Sequence, residues 1–266
     1  MNPVKGHMGK REGSGSSFLP FEHRWLMNRP IAHRGYHTGD GACPENSLEA
    51  FERAMGRGFA IELDVHMLAD GNIAVFHDDR TLRMTGVDRL IADCTTPQVR
   101  KMHLAGGDQT IPLLDDVLDL VRGEVPLLIE LKHMGPPGGP ERALLKKIGS
   151  CSGSCAVQSF NPRSLRWFKI AAPDLPRGQL SGRLDDLDLA FHKKLPVRYL
   201  LTNPLCSPLF IGYDVHCLPT RRTSSLRARG IPLIGWTVCS MEEYRRVAPL
   251  VDNIIFEGFD PPRNGL

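Results

Sequence analysis

The 266-residue chain has no apolar run approaching the ~18 residues that a membrane span needs. The stretch from Tyr199 to Leu218 is broken by Pro204 and Pro208. The N-terminus is polar and rich in glycine and serine up to Ser17, without the apolar centre of a signal peptide. Net charge is also lacking: 33 basic residues face 30 acidic ones, for a formal +3. No basic run is long enough to track a phosphate backbone, which argues against nucleic acid as a partner. Arg221, Arg222, Arg227 and Arg229 form a small basic cluster that reads as a solvated helix face. Seven cysteines are an odd number, and most lie in apolar runs, which fits reduced thiols rather than a disulfide framework. Cys151 and Cys155 are closely spaced, but no second Cys/His pair at zinc spacing accompanies them. These absences describe a soluble, cytoplasmic protein with no stable membrane insertion. Residues 1–26 read as a flexible leader and residues 27–266 as one domain.

What is present is a sizeable core, with 41% hydrophobic residues, and a regular alternation. Strand-like runs fall at 30–34, 59–66, 126–132, 155–159, 175–180, 210–216, 231–238 and 252–256. Helical patterns lie between them: Ser47 to Arg57, opened by Asn46 as N-cap and closed at Gly58, then Leu114 to Val121, Pro140 to Ile148, Arg163 to Ala172, Thr220 to Arg229 and Met241 to Val247. Such alternation predicts an α/β fold, a (β/α)₈ TIM barrel, with an open doubly wound sheet as the competing architecture. One stretch departs from it. Asp70-Gly71 reads as a hairpin turn before a short strand within Asn72 to Asp79, and residues 80–112 run long and polar. This is a small insertion after strand 2, expected over the catalytic face.

In a barrel the chemistry sits at the C-terminal ends of the strands, and charged residues fall there. Glu62 and Asp64 are two residues apart on a strand and so share a face. Glu130 and Lys132 repeat that spacing on Leu127-Leu128-Ile129-Glu130-Leu131-Lys132, where a central parallel strand should be continuously apolar. A Glu130–Lys132 ion pair is the bland explanation. Three carboxylates in one barrel mouth are explained more simply by a hard divalent cation, Mg²⁺ or Ca²⁺. His33 and His77 each end an apolar run, and a histidine pair can divide the work of base and acid. His37, His66 and His133 are rivals near the same strand ends, whereas His103, His192 and His216 look structural or superficial. Arg34 and Lys132 supply fixed charge for phosphate oxygens. Glu45 is either a carboxylate at a helix N-terminus or an orienting partner for Arg34 or a histidine.

These segments, in this order, closely resemble the glycerophosphodiester phosphodiesterase family. The matches are Ala32-His33-Arg34-Gly35, Pro44-Glu45-Asn46-Ser47, Glu62-Leu63-Asp64-Val65, Phe76-His77-Asp78, Ile111-Pro112-Leu113-Leu114, Glu130-Leu131-Lys132, Ser159-Phe160-Asn161-Pro162 and Gly235-Trp236-Thr237-Val238. The chain looks most like the compact bacterial members. The resemblance implies a metal held by Glu62, Asp64 and Glu130, and His33 and His77 as the acid/base pair. It implies Arg34 and Lys132 on phosphate oxygens, and Phe160 and Trp236 around the glycerol moiety. The implied substrate is a small-molecule glycerophosphodiester, hydrolysed to glycerol 3-phosphate and an alcohol. Glu257 stands where many members carry a threonine-aspartate pair. Competing readings are a lysophospholipase D or phosphatidylinositol phospholipase C-like activity on lipids, a non-hydrolytic metal-dependent isomerase or aldolase, and a regulatory barrel that binds a diester without cleaving it.

Overall fold

The computed structural model describes residues 21–39, 41–149, 153–184 and 191–262. Nine strands form one sheet: β1 (Ile31–Ala32), β2 (Ala60–Met67), β3 (Ile73–Val75), β4 (Leu127–Leu131), β5 (Cys155–Ser159), β6 (Arg177–Ser181), β7 (Phe210–Asp214), β8 (Leu233–Val238) and β9 (Asn253–Phe256). Eight are parallel and pair in the order β1, β2, β4, β5, β6, β7, β8 and β9. Pairing of β1 with both β2 and β9 closes the ring. β3 runs antiparallel on the edge of β2 and opens the insertion. The expected (β/α)₈ barrel with an insertion after strand 2 is therefore the fold. Among the described residues, no helix is long and apolar enough to cross a membrane, and no disulfide joins the cysteines.

Local chemistry sets the boundaries. The first barrel helix, Leu48–Arg57, is capped by Ser47, whose hydroxyl accepts from the Ala50 amide at 3.1 Å, and it stops at Gly58 in the left-handed region. The N-cap is thus Ser47, not the expected Asn46, whose side chain is engaged elsewhere. A helix over Phe191–Arg198 was not foreseen, because Pro196 inside it reads as a breaker. The stretch expected to run long and polar has a core of its own. Ile91, Cys94, Val99, Met102, Leu104 and Ile111 pack with Leu68, Ala74 and Phe76 under short helical turns.

The barrel interior changes character along its axis. Its lower layer is apolar, with Ile31, Ala60, Leu128, Ala156, Phe210, Ile234 and Ile255 in one buried cluster. Gly178 has no side chain because Phe210 fills the space: a Cβ there would sit 2.0 Å from the ring. Two residues further along their strands, at the next position on the same face, stand His33, Glu62, Glu130, Gln158, Trp236 and Glu257. Core and site are successive layers of one period-two pattern.

Trp25 and Leu26 complete the lower layer from a short helix over Trp25–Asn28. The Asn253 side-chain amide donates to the Leu26 and Arg29 carbonyls at 3.1 and 2.8 Å, fixing this entry segment to β9. Leu26, just before the expected domain start at residue 27, is fully buried against the barrel. The first 20 residues of the expected leader lie outside the described residues. Leu26→Ala should lower unfolding free energy in urea by about 2–5 kcal/mol, the usual cost of such a cavity. A loss under about 0.5 kcal/mol, typical of surface changes, would show the entry segment to be dispensable.

Candidate active site

The three carboxylates meet because of strand register. Glu62 and Asp64 share the inner face of β2, and Asp64 lies directly across from Glu130 on β4. Each offers an oxygen within 4.8 Å of the others, and all three are buried. Lys132 Nζ stands 2.9 Å from Glu130 Oε1 and 3.8 Å from Asp64 Oδ1. The expected ion pair is thus real, and it sits inside the carboxylate cluster rather than replacing it. Arg34 Nε approaches Asp64 Oδ2 at 3.4 Å, and the Arg34 amide donates to Glu62 Oε2 at 3.1 Å.

Charge is divided unevenly among them. Burial alone would raise the Asp64 carboxyl, but Lys132, His77, Arg34 and His33 hold it well below the ordinary range. Glu62 goes the other way. Burial and the charges of Asp64 and Glu130 push it well up. Lys132 overcomes its own burial through Glu130 and Asp64 and stays firmly protonated. Two fixed cations face three buried carboxylates, and Arg34 also serves Glu45. The cluster lacks one positive charge. An all-oxygen donor set is what Mg²⁺ and Ca²⁺ prefer, so these residues fit a hard divalent ion.

Backbone strain supports the arrangement. Arg34 and Asn46 both have left-handed backbones, φ 52° and 54°, and the Asn46 amide donates to the Arg34 carbonyl at 2.9 Å. Asn46 Nδ2 donates to Asp64 Oδ2 at 2.9 Å, and Asn46 Oδ1 accepts from the Asp64 amide at 3.3 Å. This buried residue, expected only as a cap, holds a candidate metal ligand. Gly35 lets the loop turn over the first helix, because a Cβ there would lie 2.9 Å from both Ala50 and Phe51.

The two histidines are held alike. His33 Nδ1 lies 2.6 Å from Glu257 Oε2, and His77 Nδ1 lies 2.6 Å from Asp78 Oδ1. Each ring then has Nε2 left to face the cavity, and both residues line it. Burial lowers the pKa of His33, with Glu257 opposing. The hydrogen bond from His33 holds Glu257 well below the usual carboxylate range. Of the rivals, His66 lies behind the site with Nε2 3.2 Å from the His77 carbonyl, so it positions His77. His133 bonds the Pro136 carbonyl at 2.9 Å. His37 stands 3.5 Å from Glu257.

Glu45 lies one step back from the cavity. Its Oε1 accepts from Arg34 Nη1 at 2.7 Å, which favours the orienting role over the helix-terminus one. Arg83, from the insertion, donates to Glu45 at 2.7 and 3.1 Å and to Asp78 at 2.6 and 3.1 Å. One guanidinium thus joins the carboxylate behind Arg34 to the carboxylate behind His77. Sequence reasoning missed Arg83, whose only signal was its place in the insertion.

The cavity above the carboxylates measures about 630 Å³. Phe160 and Trp236 form one wall, edge to face with centroids 5.7 Å apart. Leu180, Leu184, Arg183, Asp214 and His216 also line the cavity. His216, expected to be structural or superficial, is exposed as well as lining the cavity, and stands between Asp214 at 3.1 Å and Glu243 at 3.3 Å.

A profile of the glycerophosphoryl diester phosphodiesterase family matches residues 33–258. The glycerophosphodiester phosphodiesterase of Caldanaerobacter subterraneus subsp. tengcongensis is 30% identical over 242 residues, spanning 85% of this chain and 92% of the relative. That of Bacillus subtilis (strain 168) is 25% identical over 240 residues, spanning 82% and 78%. A phosphodiesterase from Oleispira antarctica, solved in complex with the product sn-glycerol-3-phosphate, superposes with a TM-score of 0.71 at 21% identity over 87% of this chain and 93% of the other. That likeness concerns the fold.

The missing positive charge has a measurable consequence. Glu62 is pushed up in the folded state, so its ionisation opposes folding, and the opposition grows as pH rises above the ordinary carboxylate range. In EDTA at neutral pH, Glu62→Gln should raise the melting temperature by roughly 2–4 °C, the shift that about 1 kcal/mol makes in a domain of this size. Excess Mg²⁺ should raise the melting temperature of the wild type and leave that of the variant unchanged. Calorimetry in which the variant melts lower in EDTA, or gains as much from Mg²⁺, would refute the cation-deficient triad.

Proposed function

This chain belongs to the glycerophosphoryl diester phosphodiesterase family, and on that premise we propose that it hydrolyses a soluble glycerophosphodiester to glycerol 3-phosphate and an alcohol. One observation carries the reading. A single cavity is lined by Glu62, Glu130, two cations and two histidines each anchored through Nδ1, and Asp64 converges on the two glutamates. That is the equipment for a negatively charged phosphorus centre with a poor leaving group. The curated relatives bear the name of this activity, and the Oleispira antarctica structure holds its phosphomonoester product.

Glu62, Asp64 and Glu130 would hold a divalent cation, Mg²⁺ or Ca²⁺, and when bound it would supply positive charge to the phosphoryl oxygens. Arg34 and Lys132 line the same cavity and add fixed donors for those oxygens. The substrate's phosphorus would lie between the two histidines. Glu257 remains ionised and accepts the Nδ1 proton of His33, so the free Nε2 carries a lone pair. Burial keeps this ring neutral near pH 7, which suits it to take the proton of the attacking oxygen, whether of water or of the adjacent glycerol hydroxyl. The phosphorus–oxygen bond to the alcohol breaks, and His77 Nε2–H gives its proton to the departing alkoxide. Asp78 stabilises the ring while it is cationic. Phe160 and Trp236 would cover the glycerol carbons.

A second substrate class has one observation in its favour. Leu82, Val87 and Leu90 are exposed on the insertion beside Arg83, and an apolar rim there would suit a lysolipid tail. Comparing glycerophosphocholine with lysophosphatidylcholine as substrates separates the two readings.

A coupled assay for glycerol 3-phosphate across a panel of glycerophosphodiesters tests the proposal. EDTA should abolish release, and Mg²⁺ or Ca²⁺ should restore it. His33→Ala and His77→Ala should each lower kcat by ~10²–10⁴-fold with an unchanged melting curve. Near-full activity in either folded variant would remove that histidine from the chemistry.

A further inference from the structure

Glu257 does more than anchor His33. His37, four residues on in the same loop, turns Nε2 toward the same carboxylate oxygen at 3.5 Å. One nitrogen from each of the two histidines and an oxygen of Glu257 lie within 4.8 Å of one another. The His33–Glu257 pair is explained as an anchored base. His37 is not: among the described residues its Nε2, closed off from solvent, makes no hydrogen bond of good geometry and has only the long 3.5 Å approach to Glu257. A buried ring nitrogen left with so long a contact, to an oxygen already engaged by His33, is poorly satisfied, and a ligand placed between them would satisfy it.

We propose that His33, His37 and Glu257 form a binding site for an imidazole-preferring divalent ion, Zn²⁺ above all, and that its occupation stops turnover. The donor set supports this choice. Two imidazole nitrogens and one carboxylate oxygen form the three-ligand set that zinc takes with a water in the fourth position. Hard ions prefer the all-oxygen triad of Glu62, Asp64 and Glu130, so the two sites sort ions by softness. Tetrahedral arms of ~2.0–2.2 Å place neighbouring donors roughly 3.3 Å apart. The 3.5 Å between His37 and Glu257 already matches. The 2.6 Å between His33 and Glu257 is a hydrogen bond, which opens when an ion replaces its proton.

Inhibition follows from which nitrogen is taken. In the ion-free enzyme the Nδ1 proton of His33 points at Glu257 and Nε2 accepts. An ion on Nδ1 moves that proton to Nε2, with no net gain or loss of protons. The ring then shows a donor to the cavity where a base is needed. The substrate pocket remains open, so kcat falls while KM is little changed. This inhibitory half rests on the reading of His33 as the proton acceptor; the binding half does not.

The test uses the full-length enzyme saturated with Mg²⁺, titrated with Zn²⁺ by calorimetry and in the glycerol 3-phosphate assay. Wild type should bind one Zn²⁺ and lose kcat in step with binding. His37→Ala and His37→Gln, checked by melting curve, should bind at least about tenfold more weakly, in line with losing a ligand or its support. Their own activity should resist Zn²⁺ to the same degree. Cys239 is a control, because its thiol lies 3.6 Å from the other oxygen of Glu257. Cys239→Ser should keep both binding and inhibition. Unchanged Zn²⁺ affinity in the His37 variants, or its loss in Cys239→Ser alone, would overturn the site. If the His37 variants misfold, zinc-edge absorption of the wild type decides, with two imidazoles expected and an all-carboxylate shell overturning the site. His37-dependent binding without loss of kcat would leave the site standing and overturn the role of His33.

Discussion

Three carboxylates buried within a few ångströms of one another are the constraint from which the rest of the site follows. Like charges so placed cannot all remain ionised without a counterion. Arg34 and Lys132 satisfy part of the demand, and each is bonded to at least one carboxylate of the triad or its support. The deficit falls on Glu62, whose pKa rises, while Asp64, with both cations beside it, remains ionised. A cation and an anionic phosphate are complementary answers to this one imbalance. On the proposed function, a cation would complete the triad, and the phosphate would use the positive charge then available at the cavity surface.

Holding such a cluster requires rigidity from outside it. The barrel provides the first level, because β2 and β4 fix Asp64 opposite Glu130 by main-chain register. Two left-handed residues, Arg34 and Asn46, provide the second by clasping each other and Asp64. The insertion provides the third. Its separate apolar cluster supports the turn that carries Arg83, which ties Glu45 to Asp78 and so couples Arg34 to His77. The excursion after β2 is therefore a packed support as well as a cover.

Much of this was legible in the chain. Period-two spacing gave Glu62 with Asp64 and Glu130 with Lys132, since a carboxylate interrupting an apolar parallel strand has few cheap explanations. Strand ends gave His33 and His77. Contacts closed only by the fold were not legible. Glu257 meets His33 across 224 positions, and Arg83 meets Glu45 across 38. Asn46 read as a cap because local capping chemistry is visible in sequence, whereas a hydrogen bond to a distant aspartate is not. Trp25 and Leu26 were assigned to the leader because two apolar residues beside a polar tract show no period. The insertion looked polar because its helices are one turn long, too short to display a stripe.

The two histidine–carboxylate pairs are alike in geometry but differ in what surrounds them, and the proposed division into base and acid rests on that difference. His33 is half-buried at the cavity wall, and desolvation there favours its neutral form despite Glu257. Asp78 behind His77 is shared with Arg83, so its negative charge is partly spent before it reaches the ring. The guanidinium that rigidifies the site thus also sets the surroundings of one histidine apart from those of the other. That asymmetry could not come from the strands, since both rings are presented in the same way. It comes from the insertion, which reaches only one of them.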